Sequence, residues 1–129
     1  MDLLSRLIPV VHWAPRLVLA AIFIPQGYSK FIYPGIIPPP YWQLVGVLEL
    51  LGGVFLVVGA FGRDLLTRAG ALLILVVMTG ATIMMYQPNA ISYGLDVPKL
   101  WVGPMGGLDL QALTAAVSLY YLVKGNEVR

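Results

Sequence analysis

Four long apolar runs leave this chain almost no polar face to turn toward water, and that property decides its solvent. They are residues 15–33 (PRLVLAAIFIPQGYSKFIY), 41–61 (YWQLVGVLELLGGVFLVVGAF), 65–85 (LLTRAGALLILVVMTGATIMM) and 104–123 (PMGGLDLQALTAAVSLYYLV). Each is close to the roughly 20 residues, at about 1.5 Å apiece, that a helix needs to cross a bilayer core. A soluble helical protein of this size would need a charged stripe on every helix. Here 59% of the 129 residues are hydrophobic and only 11% are charged. The expected fold is all-α: one membrane domain, residues 1–129, forming an integral membrane bundle of four transmembrane helices.

Residues 1–14 (MDLLSRLIPVVHWA) begin like a signal peptide, with an early Arg6. The apolar character continues to Phe31 without a small-residue cleavage site, so the segment reads as an anchor that stays. It is expected to lie along the interface, with Trp13 at headgroup level. Basic residues set the orientation. Arg6, Arg16, Arg63, Arg68, Lys124 and Arg129 fall on one side, and only Lys30 and Lys99 on the other. Both termini are therefore expected in the cytoplasm. The first outer connection, PGIIPPP, is short and stiff, which makes the first two spans antiparallel neighbours. The second, residues 86–103, is the longest loop and rich in aromatics.

Several chemistries are excluded. There is no cysteine, hence no disulfide, thiolate metal site, iron–sulfur cluster or covalent haem. His12 is the single histidine, so a haem held between two histidines of one chain is ruled out. Met84 and Met85 form a thioether pair compatible with copper(I), but they read as apolar filler, and no metal site is assigned. The basic residues are scattered, which argues against nucleic acid.

The informative residues are the polar ones inside the runs. Glu49 shares a helix face with Gly46 and Gly53; Gly52 and Gly59 form a second small pair. Small residues let membrane helices approach closely, so Glu49 is expected to point into packed protein. An ionised acid facing lipid would cost at least about 2.5 kcal/mol. In the first span, Pro25 and Gly27 loosen the helix around Gln26. Gln26 lies about 10 Å and Glu49 about 12 Å below the outer ends of their helices. Lys30 sits one turn above Gln26 and reaches either water or an acid. Asp109 and Gln111 fall near the outer end of the fourth span. Glu49, Lys30, Gln26, Asp109 and Gln111 thus belong to the outer half and are candidates for a ligand or proton site. The competing reading is a structural polar knot, with Asp109 serving only as a helix cap. Arg16, at the inner end, reads as an interfacial anchor.

These residues resemble the pattern of the DoxX family of small four-helix membrane proteins, along nearly the whole chain. The first helix carries Arg16, Gly27 and Lys30, the second GVLELLGG with Glu49, the third begins near Arg68, and GPMGGLD with Asp109 precedes the fourth. The resemblance implies a plasma membrane (prokaryotic inner membrane) location with multiple spans. It also implies roles ranging from quinol-oxidase and thiosulfate:quinone oxidoreductase subunits to chaperones of other membrane proteins. The leading expectation is a small subunit of a quinone-linked redox assembly, with quinone as its non-covalent ligand. Electrons would come from a partner or from the quinone, because this chain lacks ligands for most electron-carrying metals. Membrane lipid and other membrane subunits are the expected partners, and a homo-oligomer is compatible with the sequence. The alternative is a non-enzymatic assembly factor or structural subunit. A third reading is a proton or small-solute transporter, for which four spans without broken-helix repeats are poorly suited.

Overall fold

The computed structural model describes residues 2–35, 37–86 and 108–128, and among them every regular element is helical. α1 covers Asp2–Val11 and α2 covers Trp13–Ile32. α3 is Tyr41–Gly59, α4 is Asp64–Tyr86, and α5 is Leu108–Lys124, followed by a 3₁₀ turn, Gly125–Val128. The expected outer loop after Tyr86, and the part of the fourth run before Leu108, lie outside the described residues.

α3 and α4 are long and apolar enough to cross a membrane. α2 falls short of that standard although it has 20 residues, because Arg16, Gln26 and Lys30 dilute its apolar content. α5 has 17 described residues, below the length required. α2 runs on through Pro25, the missing N–H being absorbed within the helix. α1 turns Leu3, Leu7 and Val10 outward on one side, and a single break at His12 joins it to α2.

The helices pack in chain order: α2 against α3, α3 against α4, α4 against α5. Glycine sets the first two contacts. A Cβ on Gly27 would lie 2.6 Å from the Gly46 carbonyl oxygen, and one on Gly46 would lie 2.8 Å from the Gly27 oxygen. A Cβ on Gly70 would fall 2.8 Å from the Gly52 oxygen. Backbone therefore meets backbone at both contacts, the close approach that small residues permit. Leu19 and Phe23 of α2, Leu56 of α3, Ala71, Ile74, Val77 and Met78 of α4, and Tyr121 of α5 form one buried core. α3 and α4 are joined by a tight turn at Gly62, whose φ of 106° suits glycine. The molecule thus has two ends, one at the Pro-rich α2–α3 connection and one at Gly62. A polar joint is built at each.

Candidate functional site

At the Pro-rich end, Lys30 of α2 and Glu49 of α3 form an ion pair, Nζ to Oε2 2.7 Å. The side chains are 12% and 3% exposed. The pair exists because Gly46, one turn from Glu49, draws the α2 backbone in; a Cβ there would touch the Lys30 Cβ at 3.0 Å. Lys30 Nζ also lies 4.8 Å from the centroid of the Trp42 ring. The Trp42 indole N–H donates to the Tyr33 carbonyl at 3.1 Å, so its plane is held. Above the pair opens a cleft of about 280 Å³, lined by Lys30, Phe31, Tyr33, Trp42 and the prolines of the connection.

Gln26 and the fourth-span candidates are placed differently. The Gln26 side chain is exposed, and it is Lys30 that pairs with Glu49. The Gln111 amide oxygen accepts from Thr82 Oγ1 at 3.0 Å, which links α5 to α4. Asp109 is the second residue of α5, and its side chain lies outside what the structure describes. Gly46, Gly52, Gly53 and Gly59 are all buried along α3.

At the Gly62 end the structure corrects the reading of Arg16 as an interfacial anchor: its side chain is 0% exposed. Nη1 donates to the Leu56 carbonyl at 2.8 Å and to Thr67 Oγ1 at 2.9 Å; Nη2 donates to Asn126 Oδ1 at 2.8 Å. The guanidinium lies 4.8 Å from the centroid of the Tyr121 ring. The physical reason is the end of α3. The last carbonyls of a helix have no partner within it. Ala60 N–H bonds Val57 and Phe61 N–H bonds Val58. Leu56 is left to Arg16, and Gly59 accepts from Arg63 N–H and from Asn126 Nδ2 at 2.9 Å. A cation is favoured at that end by the helix dipole.

The same device recurs at α5. Arg68 Nη1 donates to the Leu122 and Val123 carbonyls at 3.0 and 2.8 Å, while its Nε holds Asp64 at 2.7 Å. Asp64 in turn accepts the Asn126 backbone N–H at 2.6 Å. Thr67 Oγ1 donates to Asn126 Oδ1 at 2.7 Å, and the Tyr121 hydroxyl donates to the His12 carbonyl at 2.6 Å. Thr67 and Asn126 were not singled out from the sequence, and Tyr121, which with Tyr120 reads there as an inner aromatic belt, is instead fully buried. The available signal was Gly125-Asn126 directly after an apolar helix, a C-terminal glycine stop; Gly125 indeed has φ 57°.

Among the described residues, no group of three or more His, Cys, Asp or Glu side chains is arranged to hold a metal ion. A family model described as DoxX matches residues 13–87, which takes in α2, α3 and α4 with Arg16, Lys30, Glu49 and Arg68, and stops short of Asn126. No curated protein and no solved structure matches the chain.

Proposed function

The chain belongs to the DoxX family, and from that membership we propose that it serves as a small subunit of a quinone-linked redox assembly, crossing the plasma membrane four times with both termini in the cytoplasm. Four crossings are supported by where α2 keeps its polarity: its two charged side chains are buried or nearly so, so the helix presents mainly apolar side chains to lipid. The excess of Lys and Arg on the Gly62 side supports the orientation.

The observation that carries the redox reading is the Lys30–Glu49 pair. A buried ion pair gains little over packed apolar residues of the same volume, and such replacements are often neutral or stabilising. The glycine contacts already hold α2 to α3. The charges are therefore better explained by use than by stability. The adjoining cleft suits a quinone head group: it offers one cationic donor and apolar walls. Lys30 would donate to the head group, and Glu49 would keep the Lys30 ammonium in place beside it. The bound quinone supplies the capacity to carry electrons and protons within the bilayer. Glu49 Oε2 is the site at which this chain accepts or releases a proton, and Lys30 Nζ is its neighbour for the exchange. Electrons come from a partner subunit.

The test is to purify the protein in mild detergent, extract the bound lipid and assay quinone, alongside quinone-linked activity of membranes carrying Glu49→Gln. Co-purified quinone and a loss of activity are expected. Absence of quinone together with unchanged activity ends this reading.

One observation favours a second role as a structural or assembly partner. On α4, Gly80 is exposed beside Thr79, and an added Cβ there meets nothing within 4 Å, so a small-residue face is open to another helix. Co-purification of a membrane subunit that is lost in Gly80→Leu supports it; a monodisperse protein without any partner counts against it.

A further inference from the structure

The bundle does not account for α1. Leu3, Ser5, Arg6, Leu7, Val10 and Val11 are all exposed, so the bundle gives these side chains little to pack against. A helix of ten residues is marginal in water without a covered face. Something outside the bundle must cover its apolar side.

Phase identifies the cover. The backbone stays helical through His12, with φ −67° and ψ −18°, so α1 and α2 share one register. At 3.6 residues per turn, Leu3, Leu7 and Val10 fall within about 80° of Leu17, Tyr28 and Ile32, which are exposed side chains of α2. Arg16, Phe23 and Gly27, the buried side of α2, are centred about 140° away on the same wheel. The apolar side of α1 therefore continues the surface that α2 gives to lipid, and it faces away from the bundle.

Length decides where that surface falls. The 20 residues of α2 rise about 30 Å, which fills the hydrocarbon core. α1 then starts where the core ends. Trp13 packs edge-on against Phe61 at that level, ring centroids 5.4 Å apart, and Phe61 and Leu65 are exposed there, an apolar fringe suited to the headgroup region. Running straight on, the stripe of α1 would stand in water. The chain has a place to bend. Pro15 has no N–H to give the Val11 carbonyl, while the His12 carbonyl is held from α5 by the Tyr121 hydroxyl at 2.6 Å. A bend toward the stripe lays α1 beneath the leaflet, with Leu3, Leu7 and Val10 toward acyl chains and Ser5 toward water. Arg6, about 60° round from Leu3, then reaches phosphate level.

We infer that α1 is a membrane-surface helix: its Leu3–Leu7–Val10 face docks on phospholipid of the cytoplasmic leaflet, with the chain bent between Val11 and Pro15 away from the bundle. Residues 1–14 as a sequence point only to the interface; the structure assigns the face, the hinge and the direction. The inference rests on α2 crossing the bilayer and is independent of the quinone reading. Its consequence is that α1 sets the depth and tilt of α2, and with them the depth of the Lys30–Glu49 pair.

The chain has no cysteine, so Leu7→Cys, Ser5→Cys and Leu17→Cys each carry a single nitrobenzoxadiazole label in the full-length protein. The probe membrane is a phosphatidylcholine–phosphatidylglycerol vesicle with iodide available on both sides. Quenching by doxyl lipids is expected to place the Leu7 label about 5–10 Å into the headgroup and acyl boundary, while iodide quenches the Ser5 label. Adding Leu3→Ser with Val10→Ser should move the Leu7 label out to iodide; an unchanged depth overturns the proposal. Equal iodide quenching at Leu7 and Ser5 also overturns it, since α1 then stands in water. So does self-quenching at Leu7 that unlabelled protein dilutes away, which would mean that a second copy covers the face. In each of those cases lipid quenching at Leu17 shows that the crossing of α2 stands; its absence takes both readings down.

Discussion

Replacing Arg16 by leucine tests the joint at the Gly62 end most directly. If Arg16 were an exposed anchor, losing it would cost about 0–1 kcal/mol. In the structure it is fully buried and donates to three acceptors, Leu56 O, Thr67 Oγ1 and Asn126 Oδ1. Removal leaves the Leu56 carbonyl short at the end of α3, because the Ala60 N–H is bonded to Val57 instead. Each buried polar group left short costs about 1–3 kcal/mol. The lost contact with the Tyr121 ring, 4.8 Å away, adds about 0.5–2 kcal/mol. Part is recovered, since Thr67 and Asn126 still bond each other. The net expectation is about 3–5 kcal/mol, in the range found when one member of a buried charged network is removed. For a chain of this size that lowers Tm by about 10–20 °C. Thermal unfolding in detergent, followed by circular dichroism and by size exclusion after heating, measures it. Arg16→Lys should fall between, because an ammonium keeps the charge and loses the planar fork that serves three acceptors. An Arg16→Leu protein within 2 °C of wild type would refute the argument.

Further outcomes follow from the same geometry. Lys30→Met alone strands the Glu49 carboxylate and should destabilise by about 3–5 kcal/mol, whereas Lys30→Met with Glu49→Met should recover most of that loss; a double variant no more stable than the single would mean the pair is structural after all. Gly46→Ala should cost about 1–3 kcal/mol by overpacking, because its Cβ would sit 2.8 Å from the Gly27 oxygen. Gly80→Ala, with open space around its Cβ, should be neutral or stabilise by up to about 1 kcal/mol; equal effects in the same melts would show that the α2–α3 contact is looser than described. Gly125→Ala combines a left-handed backbone with a Cβ directed onto the Asp64 carboxylate, and should cost about 2 kcal/mol or more. Asn126→Ala should weaken the same joint, and protease sensitivity after Lys124 reports its release.

What was legible in the sequence divides along one line. Features carried by a single segment could be read: the apolar runs of α3 and α4, and the buried glycines of LELLGG. The partnership of Lys30 with Glu49 was within reach because a short, stiff connection makes α2 and α3 antiparallel, so depth along each helix can be compared. The same comparison over-reached for Gln26, which lies at a matching depth yet remains exposed. Arg16 was misread because an arginine at a helix end looks the same whether it meets water or protein. Its partners stand 40, 51 and 110 residues away, and no local pattern connects them. A threonine in an apolar helix and an asparagine beyond the last one carry no sign of their roles until all the helix ends are brought together.

The placement of Asn126 has a consequence for how the molecule is made. The glycine contacts of α2 with α3 and of α3 with α4 use segments that leave the ribosome early, so these helices can pair as they enter the bilayer. Asp64, Thr67 and Arg16 are then already in the membrane or at its edge with their shared partner missing. That partner arrives only after α5 has been synthesised, when the Asn126 side chain and backbone N–H close four bonds at once. Biogenesis therefore has a late step: until α5 inserts, the Arg16 guanidinium has only Leu56 O and Thr67 Oγ1 to bond within this joint, and a chain held at that stage is the species on which a membrane chaperone or quality-control protease would act.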